Sequence, residues 1–536
     1  MNIILDMGTT NTRLYLIDDG ENIIDSRNEK FGARNSIDLG KEKLYLLLKT
    51  SISHMLLSND LNEKDIEFIM ACGMAGSELG LRNIPHINVP IGKNELANAI
   101  EHIELTGITK IPFLFIPGIK VSDSTGRILD VMRGEETEII GAVSAIKKGK
   151  AVIILPGTHC KTALIDSDGR IESFSTAMTG EMLDVIGNNS ILKNSVEYSN
   201  TVINEQLVAG AEDCKKNGIM NALFHVRTNS MNDDFDCEHL FSYFLGIVLF
   251  PDVDRIAEKH SNETIYIGGR FELRTAYLTL LRHFGCTSVN ELENSEFLMQ
   301  KGALELGIIY NRMKQKKAIK EEIINHKIIS IIRNIDRDDY IPAVEALYNG
   351  GINFAEITFD ATKAKSDCET AEIIKKTSSV FKDKMYIGAG SVVTVEQVLL
   401  AAKAGAKYII SPNCDPDVIK ATLENGLISI PGCFTASEAV TAKNCGADFI
   451  KVFPADSCGP GYIKALAAPL SNIDFLAVGG VNTNNAGEFL NAGVKGLGIG
   501  ANLVSEKNIS EYGYEWITEK AKEFVNAVNG VSTDVR

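Results

Sequence analysis

The sequence predicts a mixed α/β protein in two parts, a two-lobed unit of about 310 residues followed by a parallel (β/α)8 barrel. Three observations carry that expectation. A strand–turn–strand element with a small-residue turn occurs twice in the first part, as "IILDMGTTNTRLYLID" and as "AVIILPGTHCKTALID". A charged stretch free of Gly and Pro, "NRMKQKKAIKEEIINH" from Asn311 to His326, then breaks the composition. Beyond it, short apolar runs alternate with amphipathic segments, eight strand candidates in about 200 residues.

The bulk composition bounds the function. The chain has 536 residues, 45% hydrophobic and 23% charged, which is ordinary for globular protein and long enough for several domains. A formal charge of −16 argues against nucleic-acid or anionic-membrane partners. An anionic substrate must then be held by local basic groups or helix N-termini. The start, "MNIILDMGTT", carries Asp6 in its apolar run and no basic lead, unlike a secretory signal. The run from Leu240 to Phe250 is too short to span a bilayer. Ten cysteines without a C-x-x-C pair or Cys/His cluster fit a reducing cytoplasm, with no disulfide framework and no structural metal. The expected divisions are residues 1–310, a helical connector 311–322, and a barrel 323–536.

In the first part, Gly8, Thr9 and Thr10 form one turn and Gly157, Thr158 and His159 the other. Such turns offer backbone N–H groups and hydroxyls to phosphates. Asp6 precedes the first turn, where it can position Mg²⁺ through water. Arg13 and Lys161 follow the turns as candidate cations for phosphate. Two such hairpins, one per lobe, suit an actin-like (ribonuclease H-like) sugar kinase that clamps ATP. "VMRGEETEIIGA" adds Arg133 for substrate and Glu135 or Glu136 to accept a hydroxyl proton, although a solvated helix start would also hold glutamates. "AMTGEM" supplies Glu181, and "YIGGRF" ends a strand in Gly268 and Gly269, a place for close approach by a nucleotide.

In the second part the strands are "KIISIIR", "FAEITF", "MYIGAG", "KYIISP", "LISIPG", "FIKVFP", "FLAVGG" and "GLGIGA". Barrels act at the C-terminal ends of their strands. Those ends bring Arg333, Glu356, Gly388 to Ser391, Pro412, Lys451, Gly479 and Gly480, and Gly498 to Gly500 to one rim. A lysine in an apolar strand either snorkels to the surface or loses its proton and becomes a nucleophile towards ketones. Glu356 suits proton transfer beside it, or else a structural ion pair. Arg333 suits a bidentate grip on a carboxylate, or else a rim salt bridge. The Gly-rich turns "AVGGVN" and "GIGAN" let backbone approach an anion closely.

These motifs also carry resemblances. The barrel resembles the class I aldolases for 2-keto-3-deoxy-6-phosphogluconate and its galactonate epimer, in "ISIIR", "AEIT", "GAGSV", "SPNCDPDVI", "PGCFTASEA", "KVFPADSCGPGYIKAL" and "AVGGV". The resemblance implies Lys451 as the Schiff-base residue and Glu356 as acid/base. It implies Arg333 and Ser391 as substrate contacts, with Pro412 on the same rim, and Gly479 and Gly480 as the phosphate site. Ser391 stands where threonine is usual, and Ala501 where a phosphate-contacting serine is common, leaving Gly500, Ala501 and Asn502 to serve that side. Val478, a candidate substrate contact bearing on which C4 epimer fits, resembles the galactonate branch more than the gluconate branch. Such aldolases need no cofactor and are often trimers, so a homo-oligomer through the barrel is expected.

Residues 1–310 resemble 2-dehydro-3-deoxygalactonokinases in "DMGTTNTR", "VMRGEET", "PGTHCK" and "TGE". That implies ATP- and Mg²⁺-dependent phosphorylation at O6 of a keto-deoxy sugar acid. Together the two resemblances imply a bifunctional enzyme of galactonate catabolism, the second activity cleaving the product of the first to pyruvate and glyceraldehyde 3-phosphate. The alternatives are a gluconate-type pair, an aldolase fused to a non-catalytic sugar-acid sensor, and a barrel isomerase without imine chemistry.

Overall fold

The computed structural model describes residues 1–530 except 19, 148, 233, 234, 270, 361 and 363–365. The chain divides into two compact units, Met1–Tyr310 and Asn311–Arg536. The expected connector 311–322 forms part of a longer helix, Leu298–His326. No helix among the described residues is long and apolar enough to cross a membrane.

The first unit repeats one sheet pattern. Strand Asn2–Met7 pairs antiparallel with Thr12–Ile17, which pairs antiparallel with Ile23–Glu29. On its other side the first strand takes Ile69–Gly73 in parallel. In the second sheet Ala151–Leu155 does the same with Cys160–Ile165, Ile171–Ala177 and Thr264–Ile267. Each first strand is a nearly continuous apolar run because both of its faces are covered.

Glycine use repeats with the sheets. Gly73 (φ +63) ends its strand where an added Cβ would lie 2.7 Å from the Met7 carbonyl oxygen. Gly269 (φ +77) does so 2.5 Å from the Pro156 carbonyl oxygen. Gly32 and Gly180 back the two turns, where any side chain would collide with the Gly8 and Gly157 backbones.

The second unit is the expected barrel. Its parallel strands are Ile328–Ile332, Phe354–Thr358, Tyr386–Gly390, Tyr408–Ile410, Ile428–Ile430 with Gly432–Cys433, Ile450–Val452, Phe475–Val478 and Gly496–Ile499. The ring closes where the first strand pairs with the last. The fifth strand is split at Pro431, its first segment pairing with strand four and its second with strand six. Proline has no N–H to continue a ladder, so the break falls there. Ile329, Phe354, Tyr408, Ile430, Phe449 and Leu476 fill the lumen, with Ile319 and Ile323 of the preceding helix packed against them.

Candidate active sites

Period-two alternation decides which barrel side chains face the lumen. In strand six it turns Phe449 and Lys451 inward, and in strand two Phe354 and Glu356. Lys451 is 5% exposed and Glu356 1%, so neither group is solvated like a surface charge. Burial draws the Lys451 ammonium below its ordinary range, opposed by Glu356 and assisted by Arg333. Burial pushes Glu356 up to about 7, against the pull of Lys451 and Arg333. Nζ of Lys451 lies 4.8 Å from the centroid of the Phe453 ring. The Glu356 carboxyl occupies the space Gly390 leaves, where an added Cβ would lie 2.6 Å from Glu356 Cγ and closer still to the carboxyl. Its Oε2 is buried with no hydrogen-bond partner. The arrangement pairs an amine that gives up its proton more readily than a solvated lysine with a carboxyl that exchanges one near neutrality.

Around this pair, Arg333 and Pro412 are exposed just past strands one and four. Ser391 follows strand three in the left-handed region, φ +55. Val478, expected to touch substrate, is 4% exposed and packs beside Gly498 and Ile331, which places it in the lumen wall. Gly479 (φ +99) and Gly480 (φ +70) make the turn after strand seven, and Gly500 has open space at its Cβ position. The N–H groups of Gly480, Ala501 and Asn502 enter no backbone hydrogen bond among the described residues. Asn502 spends its side-chain amide on the Val481 carbonyl at 2.8 Å, so that amide ties two turns together instead of pointing to an anion.

In the first unit a cleft of about 710 Å³ gathers most of the expected kinase residues. Asp6, Gly8, Thr9, Thr10 and Arg13 line one side, His159 and Lys161 another, with Arg133 and Glu135 between. Asp6 and Arg13 face each other across the first hairpin at 3.3 Å, and burial raises the Asp6 carboxyl despite that arginine. Lys161 is 5% exposed, donates to the Thr176 hydroxyl (2.9 Å) and the Val131 carbonyl (3.2 Å), and lies 3.8 Å from Glu135. His159 contacts Glu181 at 2.8 Å. Arg133 donates to the Ile84 carbonyl at 2.6 Å and meets His86 at 3.3 Å.

Other expected residues fall elsewhere. Glu136 is fully buried and accepts from the Gly134 N–H at 2.6 Å and the Thr137 hydroxyl at 3.0 Å, so it braces the helix start and does not line the cleft. Gly268 and Gly269 line no described cavity; the close approach they permit is to Leu155 and Pro156. Gly157 and Thr158 line a neighbouring cavity of about 270 Å³ walled by Tyr198, Phe241 and Phe244.

Sequence reasoning passed over Glu138 and His86. Glu138 lines the cleft on the same helix as Glu135, Glu135–Val143, one turn on. Burial, then Glu135, Asp6 and Glu136, push it up to about 8. The i, i+3 spacing was a usable signal for it. His86, pushed down to about 4 by burial, Arg133 and Lys120, comes from a loop with no periodic signal.

Comparison with known proteins agrees with this division. Residues 6–305 match a family model described as 2-keto-3-deoxy-galactonokinase, and residues 319–520 one described as KDPG and KHG aldolase. The 2-dehydro-3-deoxy-6-phosphogalactonate aldolase of Escherichia coli K12 is 37% identical over 177 residues, 33% of this chain and 83% of that protein. The 2-dehydro-3-deoxygalactonokinase of the same organism is 27% identical over 289 residues, 53% of this chain and 90% of that protein. The 2-dehydro-3-deoxy-phosphogluconate aldolase of Treponema pallidum is 34% identical over 173 residues, 32% of this chain and 79% of that protein.

Proposed function

We propose, for a chain that belongs to the 2-keto-3-deoxy-galactonokinase family over residues 6–305 and to the KDPG and KHG aldolase family over residues 319–520, a division of two consecutive reactions between named residues. The first unit phosphorylates O6 of 2-dehydro-3-deoxygalactonate with ATP. The second cleaves the phosphorylated acid to pyruvate and glyceraldehyde 3-phosphate. The galacto epimer is preferred because both halves have relatives named for it.

In the cleft, the hairpin turns hold the nucleotide phosphates through backbone N–H groups and threonine hydroxyls, with Lys161 and Arg13 neutralising charge. The aromatic cavity beside Thr158 takes the nucleobase. Glu135, which faces the cleft, accepts the proton of the attacking hydroxyl, and Arg133 grips the sugar acid. Mg²⁺ carried on ATP would supply charge neutralisation at the phosphates, and an ion of that kind would need only one or two protein carboxylates. Asp6 and Glu138 would meet that demand, since both line the cleft.

In the barrel, the neutral Lys451 amine adds to the C2 ketone. Glu356 protonates the departing hydroxyl, water leaves, and an iminium ion remains. As a carboxylate, Glu356 then takes the C4 hydroxyl proton. The C3–C4 bond breaks, its electrons enter the iminium, and the phosphorylated aldehyde departs. Proton return to C3 gives the pyruvate imine, which water hydrolyses. Arg333 and Ser391 orient the ketoacid, and the Gly479–Gly480 and Gly500–Ala501 turns hold its phosphate through backbone.

The observation that carries this reading is the burial of Lys451 and Glu356 together in the lumen, their proton affinities displaced in opposite directions. The test supplies 2-dehydro-3-deoxygalactonate and Mg·ATP to the purified chain and follows pyruvate, with Lys451→Ala alongside. Pyruvate from wild type, with ADP but no pyruvate from the variant, supports both assignments. Cleavage of the supplied phosphorylated acid without any ADP formation supports a sensor in place of the kinase.

A further inference from the structure

Glu356, Gly388 and Tyr408 stand level on strands two, three and four. Glu356 pairs with Gly388, and the pairing of Ala389 with Ile409 sets Gly388 beside Tyr408. Two strand spacings separate the outer residues, about 9.6 Å at the backbone. Gly388 contributes no side chain to the gap, and the Tyr408 ring fills it: a Cβ there would collide with the ring at Cδ2, Cε2 and Cζ. The ring also lies 6.0 Å from that of Phe354, two residues before Glu356 on the same lumen face. The phenol therefore extends from strand four towards strand two.

Tyr408 is completely buried, and its hydroxyl has no hydrogen-bond partner. Neither has Oε2 of Glu356, which sits in the same lumen. Leaving a buried donor and a buried acceptor both unpaired is costly, and one water between them satisfies both. The two groups also sense each other electrostatically, the Glu356 charge adding to burial in holding the phenol proton in place. Packing alone does not account for the hydroxyl, because phenylalanine would fill the Gly388 gap as well.

We propose that Tyr408 is a positioning residue for the barrel reaction, its hydroxyl donating through one water to the Glu356 carboxylate and so fixing both the orientation and the proton affinity of that group. This rests on the acid–base reading of Glu356. Tyr408 acts through Glu356 and is given no contact with substrate.

The test is Tyr408→Phe in the full chain, assayed for cleavage of supplied 2-dehydro-3-deoxy-6-phosphogalactonate across pH, with borohydride trapping of the pyruvate imine in both proteins. The expected result is a fall in kcat of about ten-fold with KM within two-fold of wild type. The acid-side midpoint of kcat moves up by about one pH unit, because a donor that favours the carboxylate has gone. The pH dependence of unfolding, followed by the single tryptophan, Trp516, shifts in the same direction without reliance on turnover. An unmoved midpoint in a variant whose wild-type parent is trapped at Lys451 overturns the role of Tyr408 and leaves the Lys451–Glu356 reading standing. A wild type that is neither trapped nor active overturns both.

Discussion

Gly390→Ala isolates the position of Glu356 from its chemistry. The glycine lies within strand three, outside the left-handed region, so alanine meets no backbone strain. What it meets is Glu356, with the new Cβ 2.6 Å from Cγ. Carbon atoms rest about 3.5–4.0 Å apart, so the side chain must retreat by at least roughly 1 Å at Cγ and further at the carboxyl. A displacement of that size at a reacting group costs on the order of 10²-fold in rate, about 2.7 kcal/mol of barrier. Overpacking adds about 1–3 kcal/mol of destabilisation, which thermal unfolding measures separately. The assay supplies the phosphorylated ketoacid, follows pyruvate through a coupled NADH signal, and traps the imine with borohydride. The variant should still be trapped at Lys451 on long incubation while turning over about a hundred-fold more slowly, and its kinase rate should be unchanged. A folded variant with wild-type cleavage rate would refute the placement of Glu356 as the proton-transfer group.

Replacing Glu356 with Gln tests its raised proton affinity through stability. A carboxyl at about 7 when folded and near 4.5 when unfolded stabilises below pH 4.5, and that contribution is lost as pH rises through 7. The variant should flatten this dependence, worth about 3 kcal/mol, in urea unfolding read by Trp516; an unchanged slope would contradict it. Lys161→Met should lower kcat/KM for ATP by about 10²-fold and leave cleavage of supplied phosphorylated acid intact. Equal loss of both activities would point to misfolding instead. Glu135→Gln should abolish most phosphoryl transfer, whereas Glu136→Leu should mainly lower thermal stability through the lost acceptor for Gly134 N–H. The reverse pattern would move the base from Glu135 to Glu136.

Local signals carried a large part of this protein. Period-two alternation places Lys451 and Glu356 on one barrel face whatever their neighbours are, and the repeated small-residue turns announce the two sheets of the first unit. Those signals live within a few residues of chain, so the sequence determined the fold class, the barrel strands and the lumen-facing lysine and glutamate proposed to react. Cross-strand register and burial were decided only by tertiary structure. Glu135 and Glu136 are adjacent, yet one faces the cleft and the other caps its own helix start. Gly268 and Gly269 read as a nucleotide approach, but what approaches them is the preceding hairpin's own strand. Tyr408 reads as an ordinary strand residue until Gly388 is set beside it and Glu356 beyond. An empty glycine position takes its meaning from the side chain that fills it, and that side chain comes from another strand at a register no local pattern encodes.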